Sequence, residues 1–174
     1  LMSTTSDPSL PRSDPRAQEA LMSRPPAEDK DAVVDHAVKT RQVIGSPAFP
    51  EDQAKVRARF AANYDRSYYP EGAIRQWAAV MATPPRTEQL KKLNVRALVL
   101  HGAADILIKP EAGRHTAACI EGAELKIIDG WGHNMPAAAV PTIAGAMIDF
   151  IERVERDRDE ALAHPPATGC CGRQ

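Results

Sequence analysis

Two side chains able to hold or move a proton follow two apolar runs in the later half of the chain. The run in "ALVLHGAADILIKP", Ala97 to Pro110, breaks at Gly102 and is followed by Asp105. The run in "KIIDGWGHNMP", Lys126 to Pro136, breaks at Gly130 and is followed by His133. An imidazole acting as general base needs its proton fixed on one ring nitrogen. A carboxylate bonded to that nitrogen selects the tautomer and stabilises the imidazolium that forms. Asp105 lies four positions beyond His101, and His133 four beyond Asp129, so each falls just past the end of its run. Taken singly, an Asp after a Gly commonly caps a turn, and one histidine among five has many structural uses. Two such groups at matching positions point instead to a joint acid–base role.

The elements that must carry them change character along the chain. "SDPSLPRSDP", Ser6 to Pro15, reads as a loop, because prolines and Asx residues punctuate it. Apolar residues at three- and four-residue steps predict helices over about 16–22, 28–43, 51–64 and 70–82. In this helical half Tyr64, Tyr68, Tyr69 and Trp77 are expected to pack between helices, with a substrate-lining role for Tyr69 and Trp77 as the alternative.

After "TPPRTEQL" the pattern turns. A short helix over about 87–93 precedes "VRALVLHG", whose β-branched and leucine content fits a buried parallel strand. A helix over about 111–120, the strand "AELKIID" and a long helix over about 140–156 follow. Strand, helix, strand, helix at these spacings is a βαβα unit, whose right-handed crossover brings both strand carboxyl ends to one edge. Open α/β sheets place their sites at that edge. Beyond Asp157 the apolar periodicity fades, and a mobile tail is expected.

"VRALVLHGAADILIKP" followed by "AELKIIDGWGHNMP" resembles the carboxyl-terminal part of the α/β-hydrolase family, in which a strand ending in His-Gly-x-x-Asp presents the catalytic acid and a later Gly-His loop presents the catalytic histidine. The resemblance implies an α/β fold made of a helical cap followed by the last βαβα unit of a parallel sheet. Residues 1–5 would end a preceding core strand, 6–86 form the cap, 87–157 the core segment and 158–174 a tail. It further implies Asp105 as acid and His133 as base. Trp131 and Met135, flanking the histidine, would join Tyr69 and Trp77 around a modest apolar substrate pocket, with plain packing as the other reading. His101 and Asp129 are expected to make structural contacts rather than serve as further catalytic groups.

The family's nucleophile elbow, Gly-x-Ser-x-Gly, does not occur. Ser3, Ser9, Ser13, Ser23, Ser46 and Ser67 all lack that setting, and Ser46 in "IGSPAF" is followed at once by a proline where an elbow should open a helix. The expected function is therefore the later part of a serine hydrolase acting on a carboxylic ester or similar small acyl substrate, with a nucleophile supplied from upstream of Leu1. The alternative is a truncated, non-catalytic remnant or interaction module.

Other classes find less support. A formal net charge of −1 gives no electrostatic reason to expect nucleic acid or an anionic membrane as partner. No apolar run is long enough to span a bilayer, and three cysteines make no disulfide framework, so a cytoplasmic protein is expected. No G-x-G-x-x-G or Walker-type loop follows either strand, and no His/Cys/Asp cluster has metal-ligand spacing, so neither cofactor nor metal is expected.

Overall fold

The structure, a computed structural model, describes residues 1–7, 9–26 and 29–164. It divides into two compact units, residues 1–140 and 141–174. The first unit opens with helices α1 (Pro15–Met22), α2 (Lys30–Val43), α3 (Gln53–Arg66), α4 (Pro70–Ala82) and α5 (Thr87–Leu90). Strand β1 (Leu98–Gly102), helix α6 (Pro110–Cys119) and strand β2 (Glu124–Ile128) follow.

Local chemistry sets most of these boundaries. Asp14, Asp29 and Asp52 cap α1, α2 and α3, each carboxylate accepting a backbone N–H from the first turn. Such a bond satisfies a donor that the helix itself leaves orphaned. Prolines open α1, α4 and α6, where a missing N–H is harmless. The expected start of α2 at Glu28 lies outside the described residues.

β1 and β2 pair in parallel, Leu98 opposite Glu124 through Gly102 opposite Ile128, and α6 is the crossover that packs on both. On the other side of β1, Met2 forms a parallel bridge to Leu100. The Leu100 N–H donates to the Leu1 carbonyl at 2.8 Å and the Ser3 N–H to the Leu100 carbonyl at 3.2 Å. All the helices from α1 to α5 are thus inserted between two neighbouring parallel strand segments. The core sits around β1: Val99, Leu100 and His101 are buried with Ala112, Thr116 and Ile120, and Ile128 at the end of β2 and Trp131 just past it are buried too. A smaller cluster of Ala17, Val34 and Val56 lies where α1 meets α2 and α2 meets α3.

Two expectations fail here. Tyr68, Tyr69 and Trp77 are exposed, and α4 buries none of its residues. Helical spacing of apolar residues marks a face without saying what covers it. The rings find local partners instead: Tyr64 stacks on Tyr68 with centroids 4.6 Å apart, and the Arg75 guanidinium lies 4.9 Å from the Tyr69 centroid. The second unit, taken by itself, is dominated by α7 (Val140–Ala163), which runs through the segment expected to be tail as far as Ala163. Up to Val154 it repeats Ile143, Met147, Phe150, Ile151 and Val154 mostly at three- and four-residue steps. Residues 155–160 are all charged, and Ala161, Leu162 and Ala163 end it. Arg and Glu have high intrinsic helix propensity, so the helix outlasts the apolar pattern. The remainder of that expected tail, 165–174, lies outside the described residues.

Leu100 is 1% exposed at the centre of three parallel segments. Leu100→Ala is expected to cost about 2–5 kcal/mol, the usual range for a fully buried leucine, measured by urea unfolding of the full chain.

Candidate active site

The loop that leaves β1 carries Asp105, whose side chain is completely buried. Its Oδ1 accepts the backbone N–H groups of Leu107 at 3.0 Å and Ile108 at 2.9 Å. Its Oδ2 lies 2.9 Å from His133 Nδ1. A carboxylate oxygen only accepts, so Nδ1 carries the proton and Nε2 is left with the lone pair. His133 is partly exposed and Asp105 is sealed. One ring nitrogen is therefore spoken for by a rigid buried partner while the ring itself remains accessible.

His101 holds the same loop from beneath. It is fully buried, and its Nε2–H donates to the Ile108 carbonyl at 2.7 Å. Its Nδ1 has no partner among the described residues and faces Gly113 of α6, where an added Cβ would stand 2.6 Å away. The absence of a side chain at Gly113 is what lets the ring lie against the helix. Asp105 Oδ2 is 3.7 Å from His101 Nε2, too far for a hydrogen bond. His101 thus has the structural role expected of it. Asp129 is exposed.

The His133 loop is fastened on two sides. The Ala103 and Ala104 N–H groups donate to the carbonyls of Ile128 (2.9 Å) and Trp131 (3.0 Å), which ties the two strand-end loops together. Close approach requires glycine here: a Cβ on Gly102 would collide with the Trp131 carbonyl, and one on Gly132 with the Gly45 carbonyl. On the other side, residues 44–51 between α2 and α3 grip the loop. The His133 N–H donates to the Ile44 carbonyl at 2.9 Å and the Ala48 N–H to the Gly130 carbonyl at 3.1 Å, Gly130 having φ +65°. Ser46 Oγ accepts the Gly132 N–H at 2.9 Å and donates to Asn134 Oδ1. Asn134 Nδ2 donates to Glu51 Oε2 at 2.7 Å, and Glu51 is clasped in turn by the Arg41 guanidinium through both oxygens, at 2.6 and 2.8 Å. Arg41 foremost, with help from Asn134, holds the Glu51 carboxyl below its ordinary value of 4.5.

Of the expected pocket residues, Trp131 is buried and donates its indole N–H to the Asn134 carbonyl at 2.6 Å, a packing role, while Met135 is exposed. Tyr69 and Trp77 stand exposed on α4. None of the four lines the open cleft of about 490 Å³ that lies beside the two loops. Its walls include Arg41, Ser46, Glu51, Ala104, Ile106 and Asn134. Ser46, no nucleophile by its setting, enters the site through its hydrogen bonds, and Asn134 and Glu51 carry no local sequence signal that marks them for it. Ser6, a buried hydroxyl 2.9 Å from His115 Nδ1, likewise lies outside any Gly-x-Ser-x-Gly. Among the described residues no cluster of His, Cys, Asp and Glu could hold a metal ion, and no helix is long and apolar enough to cross a membrane.

Known proteins carry the same architecture. A bifunctional esterase/perhydrolase of Acinetobacter calcoaceticus is 30% identical over 106 residues, which is 59% of this chain and 38% of that protein. The crystal structure of an esterase from a Rhodococcus species superimposes with a TM-score of 0.57 at 20% identity, over 79% of this chain and 46% of that one. A meta-cleavage product hydrolase from Pseudomonas fluorescens gives 0.61 at 14% identity, over 88% and 55%. No protein-family model matches the chain. The chain is a partial α/β-hydrolase fold, and the proteins it resembles are esterases and other hydrolases of that fold. It spans about half the length of the solved relatives and less of the curated one.

Glu51 titrates below its usual value when folded, so its ion pair stabilises the fold above the ordinary glutamate range and is lost as pH falls through the folded value. Glu51→Gln is expected to melt lower than the parent at pH 7. The gap should narrow as pH drops below 4.5, as read from thermal melts across that range.

Proposed function

We propose that this chain supplies the acid and base of a serine hydrolase acting on a carboxylic ester or similar small acyl substrate. The observation that carries the reading is the 2.9 Å contact between His133 Nδ1 and the sealed Asp105 carboxylate at the carboxyl ends of two adjacent parallel strands. The esterase relatives support the substrate class.

In this reading His133 Nε2 takes the proton of a serine hydroxyl as that oxygen attacks the acyl carbonyl, and Asp105 stabilises the resulting imidazolium. The imidazolium returns the proton to the departing alkoxide, leaving an acyl-enzyme. Water, deprotonated by the same Nε2, then attacks the acyl group, and the imidazolium returns that proton to the serine oxygen as the acid is released. The serine lies on a segment this chain does not contain, since no Gly-x-Ser-x-Gly occurs in its sequence. That segment would also be expected to supply the oxyanion hole, which in this fold family draws on the backbone N–H after the nucleophile. Residues 6–86, inserted between the Leu1–Ser3 segment and β1, act as the cap over the substrate.

The test is reconstitution. The chain is joined behind the nucleophile-bearing amino-terminal portion of the Acinetobacter relative, and hydrolysis of a p-nitrophenyl ester is followed. Asp105→Asn is expected to lower kcat by about 10⁴, as loss of the orienting acid does in serine hydrolases generally, with KM little changed. An Asp105→Asn fusion as active as its parent would remove Asp105 from the mechanism.

A further inference from the structure

The geometry points to Ser46 and Asn134 as positioning residues for His133: they fasten the loop of the base to the α2–α3 turn and so hold Nδ1 on Asp105. The inference rests on the acid–base reading above and extends it to two residues whose own hydrogen bonds run to the loop and the turn.

Ser46 and Asn134 are each 7% exposed, so hydrogen bonds lost there are not readily replaced by water. The Ser46 hydroxyl is used twice, as acceptor for the Gly132 N–H immediately before the histidine and as donor to Asn134 immediately after it. One side chain from the turn therefore grips the loop on both sides of His133. Asn134 passes the grip on through its amide to Glu51, whose carboxylate is bonded by Arg41 of α2 through both oxygens and lies 3.9 Å from the Arg59 guanidinium of α3. The chain of contacts Gly132, Ser46, Asn134, Glu51, Arg41 ends on a buttressed ion pair with both side chains largely covered. Meanwhile the Asn134 carbonyl is occupied by the Trp131 indole. Every polar group of the Asn134 side chain is directed at the turn, and none at the strands.

The consequence is mechanical. β2 delivers the loop to the correct edge, but the ring's azimuth depends on Gly132 and Asn134, the residues on either side of it. Gly130 and Gly132, on either side of Trp131, leave the backbone wide rotational freedom unless something outside the strand limits it. The backbone bonds from His133 N–H to the Ile44 carbonyl and from Ala48 N–H to the Gly130 carbonyl limit that freedom from the same turn, and Ser46 and Asn134 add the side-chain stop on either side of the ring.

The test reads His133 directly in the full chain by proton NMR, without requiring turnover. In the parent, the Nδ1–H of His133 is expected to give a slowly exchanging downfield resonance, and the Gly132 and His133 amides should exchange as slowly as the Leu100 amide. Ser46→Ala and Asn134→Ala are each expected to abolish the Nδ1–H resonance and to speed Gly132 exchange by about tenfold or more, as local opening does when a loop loses its anchors. Val34→Ala, a core truncation on α2 away from the loop, should lower the melting temperature and leave both signals in place. Retention of the resonance in the two loop variants, or its equal loss in Val34→Ala, overturns the positioning role. Rapid exchange of the parent's Gly132 and His133 amides also overturns it, even if neither variant folds. Absence of the resonance in the parent would instead remove the Asp105–His133 contact and the proposed function with it.

Discussion

A hydrogen bond between Asp105 and His133 joins two loops that leave different strands, and neither loop could hold its side chain there alone. The parallel register of β1 and β2 brings Gly102 and Ile128 level, so that both chains turn away from the sheet at the same height. From that point the Asp105 carboxylate is fixed by two backbone N–H donors of its own turn, and the imidazole meets it at 2.9 Å. Much of the remaining structure around this pair serves to keep the two loops from drifting apart. Buried His101 props up the Asp105 turn, and Gly113 makes room for its ring.

Close packing of backbone against backbone is the second theme. Gly102 and Gly132 sit where any side chain would strike a carbonyl oxygen, of Trp131 in one case and of Gly45 in the other. The three segments that meet there are the end of β1, the His133 loop and the α2–α3 turn. Their contact is tight because Gly102 and Gly132 carry no Cβ where they face those carbonyls, and Gly130 carries none where it meets the Ala48 methyl. Once so close, main-chain N–H and carbonyl groups bond across the junction, and Ser46 needs only one short hydroxyl to bridge the gap. Such a junction is rigid because its bonds are short and buried, and a buried polar group left without a partner is costly.

The helical half shows the limit of reading amphipathicity. Helix positions were legible to within a few residues because caps, prolines and three- and four-residue steps are local signals. Val56 of the α3 stripe does bury, whereas the aromatic face of α4 does not. A periodic apolar face states that something can pack on it and is silent about what does. The charged end of α7 shows the converse error, since helix propensity persists where the apolar stripe has run out.

The sequence by itself determined the kinds of element, the parallel pairing of the two strands, and the placement of Asp105 and His133 just beyond the strand ends. Each of these follows from short-range patterns: apolar runs, breaking glycines and the four-residue offsets after His101 and Asp129. Only the tertiary structure decided that Ser46, Asn134 and Glu51 form the mount of the His133 loop. Ser46 and Asn134 are 88 positions apart, and Asn134 and Glu51 are 83 apart. A hydrogen bond between such distant residues imposes no periodicity on the chain between them. Its existence depends on how the α2–α3 turn packs against the loop after β2, which no local signal encodes.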